Sequence, residues 1–393
     1  MKIKTNIMLP HIYIIKNRML HFKYLLGCFL FLVSFYAQAG LTFDRIIIFG
    51  DSLSDTGKMY QKSKGWLPSS PPYHEGRFSD GPIWVDYLKE KLQKKYTHQV
   101  TVINEAEGGA TAAAYEKESW NPTYQVINNL DFEFNQYSKD YQFKPNDLVV
   151  IWAGANDYMT NGWRDSDTVM LAIDQLITKV LLAGANNVLV FNLPLLSTTP
   201  FAIHYEPEKL NELKEITEEH NNKLRRLIKT RNYKHVRLYD IAYEFSNIMK
   251  TPTYYGFHHI DQACYKKGYI WRPFLNEYYQ PQQMVAKEVT FSAENNQTRS
   301  LDEMSAKEVY QLLMNSPLAN NPMMQDALPS QQVYYSQDRR VEQDLELAGD
   351  KPESCEGYLF WDKVHPTSAA HKILADKIFK FLQQRYVNYN SSY

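Results

Sequence analysis

The sequence predicts an α/β protein, a three-layer α/β/α sandwich on a mainly five-stranded parallel sheet, and three observations carry that expectation. Short β-rich runs alternate with helical patterns along most of the chain, the order that builds parallel sheets. The first run, Phe43-Asp44-Arg45-Ile46-Ile47-Ile48-Phe49, leads straight into Gly50-Asp51-Ser52. Side chains just past the carboxyl end of a parallel strand face the crevice where open α/β sheets bind their ligands. Finally, 393 residues with 44% apolar and 22% charged content can bury a sizeable core.

Taken in order, strands are expected at residues 44–49, 99–104, 147–152, 187–192 and 235–239. Helical spacing of apolar residues predicts helices at 83–93, at 168–182 with Gly184 as the stop, and at 208–230. A last helix is expected over 366–385, with Pro366 in the first turn, where a missing N–H costs nothing. No internal repeat interrupts this order.

The first 39 residues read as a secretory signal. Lys16, Arg18 and Lys23 precede an apolar run at 24–36, and Ala37-Gln38-Ala39 supplies a small-x-small cleavage pattern. Thirteen apolar residues fall short of the roughly 20 that a membrane helix needs. The expected product is a secreted chain, outside the cell or in the periplasm, that starts at Gly40 and forms one domain over 40–393. Met19 is an alternative start codon. Without the leader, 38 Lys and Arg stand against 44 Asp and Glu, a net charge of −6 that argues against a nucleic-acid partner.

Cys28 leaves with the leader, so Cys264 and Cys355 remain and are expected to pair in an oxidising compartment. Closing a loop of roughly 92 residues stabilises by at most about 4.6 kcal/mol in the chain-entropy account. Between the two cysteines the α/β alternation stops. Residues 265–354 are expected to be an insertion with nine basic and thirteen acidic residues, rich in Gln, Asn, Ser, Pro and Tyr. Ser300-Leu301-Asp302-Glu303 ahead of Met304, Val309, Leu312 and Leu313 predicts one amphipathic helix inside it. Its place just before the Asp362–His365 segment suggests a disulfide-held lid over the crevice.

Acyl transfer by a serine needs a base for its proton, a carboxylate to hold the base, and donors for the oxyanion. Ser52 is the candidate nucleophile, His365 the base and Asp362 its carboxylate, three positions away in Asp362-Lys363-Val364-His365-Pro366 at the head of the last helix. The second strand ends in Asn104-Glu105-Ala106-Glu107-Gly108-Gly109-Ala110-Thr111, and the third in Gly154-Ala155-Asn156-Asp157-Tyr158. A glycine pair and an amide side chain thus stand at the same rim. Singly, a Gly-Gly turn, a loop Asn, a helix-capping Asp or a surface His explains each residue; three strand ends with the required chemistry make coincidence the poorer account.

These blocks resemble the GDSL, or SGNH, family of lipolytic hydrolases, over the mature chain apart from the insertion. The resemblance implies a flavodoxin-like fold and a Ser52, Asp362 and His365 triad. It also implies an oxyanion hole from the backbone of Ser52 and Gly109 and the side chain of Asn156, with Gly108 as the second choice to Gly109. The stretch Tyr73-His74-Glu75-Gly76-Arg77-Phe78-Ser79-Asp80-Gly81-Pro82-Ile83-Trp84-Val85, and Tyr255-Gly256-Phe257 ahead of Cys264, are similar to secreted bacterial phospholipases and glycerophospholipid–cholesterol acyltransferases. That subgroup implies a phospholipid or lysophospholipid substrate and acyl transfer to water or a sterol. It further implies transient contact with a membrane or micelle surface, and a protease that cuts within 265–354 to activate. The size of the insertion departs from the subgroup's pattern.

No cofactor or metal is expected. Neither G-x-G-x-x-G nor a Walker pattern occurs, and His258-His259, His365 and His371 lack partners at zinc spacing. The absence of G-x-S-x-G excludes the ordinary α/β-hydrolase elbow. Two further functions fit less well: a short-chain acyl esterase acting on carbohydrate through the same triad, and a binding module on an inactivated scaffold, which an intact set of catalytic blocks disfavours.

Overall fold

Ile46, Ile47, Ile48 and Phe49 are all buried, as are Leu148 to Trp152 and Val188 to Phe191. Runs that are apolar on both faces are what a parallel sheet covered by helices requires. In the computed structural model, which describes residues 40–65, 67–96, 99–114, 128–159, 162, 164–231, 233–266 and 352–388, they form the sheet's central strands. The strands are β1 (Arg45–Gly50), β2 (Thr101–Asn104), β3 (Asp147–Trp152), β4 (Asn187–Phe191) and β5 (Val236–Tyr239).

All five run parallel in the order β2-β1-β3-β4-β5. Ile47 lies opposite Ile103 on one side and Val149 on the other. The order reverses between β1 and β3, so a crevice opens at their carboxyl ends, the flavodoxin-like switch point. At the other end Arg45 grips Asp147 with two parallel hydrogen bonds, Nε to Oδ1 at 2.7 Å and a terminal nitrogen to Oδ2 at 2.6 Å. That fork fixes the β1–β3 register from which the crevice is built.

Helices cover both faces, as right-handed crossovers demand. Short α1 (Lys58–Lys62) precedes α2 (Trp84–Lys95), which packs against the C-terminal helix of this unit. Helices α3 (Leu130–Asp140), α5 (Ser166–Leu182) and α7 (Leu210–Thr230) make the opposite layer, and short α4 (Ala155–Met159) follows β3. In α7 the residues Leu213, Ile216, Thr217, His220, Asn221 and Leu224 are buried, a stripe at helical spacing. The starts are capped by side chains: Asn129 accepts from Phe132 N–H ahead of α3, and Asp165 accepts from Asp167 and Thr168 ahead of α5.

Beyond β4 come α6 (Pro200–Tyr205) and, after β5, α8 (Ile241–Lys250), capped by Thr199 and Asp240. Two further strands, β6 (His259–Ala263) and β7 (Tyr358–Phe360), pair parallel in a small sheet of their own. The Cys264–Cys355 disulfide joins their ends, with Cα atoms 5.7 Å apart. Phe245, Phe257, Leu359 and Phe360 belong to one apolar cluster. Helix α9 (Ser368–Arg385) closes the unit, which runs from Phe43 to Arg385. A second compact unit holds the two-residue strands Gly40–Leu41 and Val387–Asn388, paired antiparallel.

Tyr265, the first residue of the expected insertion, is buried and stacks on Trp361 with ring centroids 5.0 Å apart. Two expectations need correction. Helix α9 begins at Ser368, with Thr367 Oγ1 accepting from Ala370 N–H, so Asp362 and His365 lie in the turn before the helix and not at its head. Helices α3 and α8 were not expected. The leader at 1–39, the helix expected near 300–313, and the proposed lid and protease site lie outside the described residues. Among the described residues no helix is long and apolar enough to cross a membrane.

Gly50 ends β1 where a Cβ would sit 2.3 Å from the Trp152 carbonyl oxygen. Gly50→Ala is therefore expected to lower stability by about 2–3 kcal/mol, as overpacking against rigid backbone does. Chemical unfolding of the variant measures this, and wild-type stability contradicts it.

Candidate active site

The crevice collects the ends of β1, β2 and β3 and the turn between β7 and α9. Ser52 and His365 meet there although 313 residues separate them: the serine Oγ lies 2.7 Å from His365 Nε2. The other ring nitrogen, Nδ1, lies 2.8 Å from Asp362 Oδ2. All three side chains are buried, Asp362 completely. Phe78 leans over the imidazole with ring centroids 5.1 Å apart.

Asp362 holds its own turn together. Its Oδ1 accepts the backbone N–H groups of Val364 at 2.8 Å and His365 at 2.7 Å, while Oδ2 also accepts from the Tyr73 hydroxyl at 2.9 Å. Four donors on one carboxylate match its four lone-pair directions. A serine hydroxyl facing an imidazole that is fixed by a buried carboxylate can give up its proton as the oxygen attacks.

Two more carboxylates lace the rim. Asp55 accepts from the N–H groups of Gly57 at 2.7 Å, Lys58 at 2.6 Å, Met59 at 3.0 Å and, across the crevice, Gly108 at 2.7 Å. Burial pushes the Asp55 carboxyl up to about 6, with those amides pulling the other way. Asp157 accepts from Ala112 at 2.8 Å and Ala113 at 3.0 Å, and Asn156 Nδ2 donates to the Ala110 carbonyl at 2.9 Å. The loop after β2 is thereby pinned to both neighbours.

This lacing separates the two glycines. The Gly108 N–H is committed to Asp55, and a Cβ there would lie 2.4 Å from the Phe78 ring. The Gly109 N–H has no partner among the described residues, and Gly109 adopts φ 82°, a left-handed conformation that favours glycine. Ser52, Gly109, Asn156 and His365 all line one cleft. Its remaining wall is mostly apolar, with Leu53, Leu67, Phe78, Leu196, Phe201 and Val364 among the lining residues beside Asp51, Thr198 and Thr199. Among the described residues no cluster of His, Cys, Asp or Glu could hold a metal ion.

The family model for GDSL-like lipases and acylhydrolases matches residues 46–378. The chain belongs to this family. A phosphatidylcholine-sterol acyltransferase from Aeromonas hydrophila is 38% identical to this family member, over 91% of this chain and 97% of that protein. The secreted effector protein SseJ of Salmonella typhimurium is 33% identical over 54% of this chain and half of its own length. The thermolabile hemolysin of Vibrio parahaemolyticus is 22% identical over 86% of this chain and 63% of its own. Membership makes the chain an ester hydrolase or acyltransferase on an α/β/α sheet, the class and fold expected from its sequence.

Sequence reading missed Tyr73, Phe78, Asp55 and Asp157 as contributors to the site. Asp55 and Asp157 each lie within five residues of a candidate that it named, yet nothing local says that their carboxylates reach across to another loop.

Asp51, next to Ser52, is buried, and its Oδ2 has no partner among the described residues. Burial pushes its carboxyl up to about 7, against the pull of the Leu53 N–H. A carboxyl whose folded value lies above the ordinary 3.9 or so adds stability at acid pH that is lost as pH rises through about 7. Asp51→Asn keeps the neutral form at every pH. The stability of the variant relative to wild type is expected to rise between pH 5 and pH 8.5 in urea unfolding; a flat difference contradicts this.

Proposed function

We propose that the protein is a secreted serine acyl hydrolase and acyltransferase acting on phospholipids or lysophospholipids, with Ser52, His365 and Asp362 as its triad. The observation that carries this reading is the unbroken relay from Ser52 Oγ through His365 to Asp362, opening into an apolar cleft.

The chemistry follows from the relay. Ser52 Oγ attacks the ester carbonyl carbon while His365 Nε2 takes its proton. The oxygen that becomes negative is received by the backbone N–H groups of Ser52 and Gly109 and by the Asn156 amide. Collapse expels the glycerol-side alcohol, protonated by His365, and leaves an acyl-Ser52. A second hydroxyl, from water or a sterol, then gives its proton to His365 as its oxygen attacks the acyl carbon; the Ser52 C–O bond breaks and His365 returns the proton to Ser52 Oγ.

An apolar wall with few polar groups suits a fatty acyl chain better than the acetyl group of a carbohydrate ester. The name of the Aeromonas relative supports phosphatidylcholine as donor and a sterol as acceptor. Export with residues 1–39 as leader agrees with the Cys264–Cys355 disulfide, which persists in oxidising compartments.

The test is a mass profile of products from mixed phospholipids with cholesterol, using protein recovered from the medium, whose intact mass should start at Gly40. Free fatty acid plus cholesteryl ester is expected from wild type. Neither should come from Ser52→Ala, and Asn156→Ala should turn over about 10² to 10³ more slowly. An active Ser52→Ala sinks the triad; fatty acid without sterol ester limits the activity to hydrolysis.

A further inference from the structure

The Asp362 carboxylate receives a donor from far outside its own turn. The Tyr73 hydroxyl comes from 289 residues earlier and donates at 2.9 Å to Oδ2, the same oxygen that faces His365 Nδ1. Both residues are buried, so the bond is shielded from water. The ring is held edge-on by three neighbours: Phe78 with centroids 6.3 Å away, Tyr265 at 5.7 Å and Trp361 at 5.6 Å.

Asp362 without Tyr73 would still have three donors, two on Oδ1 from its own turn and one from the imidazole. The two local bonds fix Oδ1 alone. The phenol fixes Oδ2 from a direction that neither the turn nor the histidine supplies, which settles the plane of the carboxylate and with it the tilt of the imidazole. A buried phenol that merely filled space would also need an acceptor, but it would not need this oxygen.

On the triad reading given above, we propose that Tyr73 is a positioning residue of the reaction: its hydroxyl orients Asp362 and tempers the negative charge that the imidazolium meets. Tyr265, at the root of the insertion beside Cys264, holds Tyr73 in place by its ring, and its own N–H donates to the Trp361 carbonyl at 2.6 Å. Among the described residues, the titratable groups that interact with Asp362 or His365 include, besides Tyr73, Tyr265, Asp51 and His371, and Lys363 lies between the two in sequence.

Tyr73→Phe keeps the ring and deletes the donor. For a soluble acyl ester, kcat is expected to fall about ten- to a hundredfold, the size of a lost hydrogen bond to a charged group, with KM little changed. The acid limb of the kcat/KM profile should move to higher pH, because a carboxylate that has lost a donor holds the imidazolium more tightly. In an Asp362→Asn background the same substitution should cost little further. If Tyr73→Phe retains wild-type kcat and pH limb while Ser52→Ala is dead, the Tyr73 role is overturned and the triad stands; an active Ser52→Ala overturns the triad itself. Should Tyr73→Phe lose its near-ultraviolet dichroism, a ring-fluorinated tyrosine at Tyr73, a stronger donor of nearly the same shape, decides. A shift of the acid limb to lower pH supports the proposal, and an unmoved limb overturns it.

Discussion

The N–H of Gly50, the last residue of β1, donates to Glu133 Oε2 at 2.8 Å instead of continuing a ladder, and no side chain fits there against the Trp152 carbonyl. Glu133 is buried on α3, and burial raises its carboxyl well above the ordinary range. At this point the central strand stops between its two neighbours and turns Asp51 and Ser52 into the crevice. The position of Ser52, and everything that must be brought to it, follows from that stop at the switch point of the sheet.

Four loops must then be held at the rim without regular secondary structure. Buried loop backbone has to find partners, and here carboxylates provide many of them. Asp55 ties the loop after β1 to the loop after β2, Asp157 ties the loop after β2 to α4, and Asp362 closes the turn before α9. Each carboxylate accepts backbone amides, which makes its burial tolerable and the geometry stiff. Within this frame Gly109 and Asn156 line the same cleft as Ser52 and His365, while the Gly108 N–H is taken by Asp55.

Much of this was legible in the chain. Five runs marked the five strands within two residues at either end: β1, β3 and β4 are buried on both faces and leave a continuous apolar signal, while the outer strands β2 and β5 are only partly buried and carry a weaker one. Ser52, Asp362, His365, Gly109 and Asn156 stood out because each occupies a strand end or the turn before a helix, where position alone suggests a role. Helix α8 carried a readable cap in Asp240, whose side chain accepts from Tyr243 N–H at 3.0 Å, but its ten residues resemble a strand as much as a helix. Helix α3 buries Glu133 and exposes Phe132, which blurs any apolar stripe. Tyr73 was invisible as a partner of Asp362, since a contact across 289 residues leaves no local pattern.

The central claim is that Ser52 carries the acyl group between donor and acceptor. Treatment with a p-nitrophenyl dialkyl phosphate, followed by proteolysis and peptide mass analysis, tests it directly, because such esters phosphorylate an activated serine and stay there. The account predicts one phosphoryl group per chain, on the peptide containing Ser52, with loss of esterase activity in step. Inactivation with the label on another residue, or ester hydrolysis that persists while Ser52 is fully labelled, would contradict it.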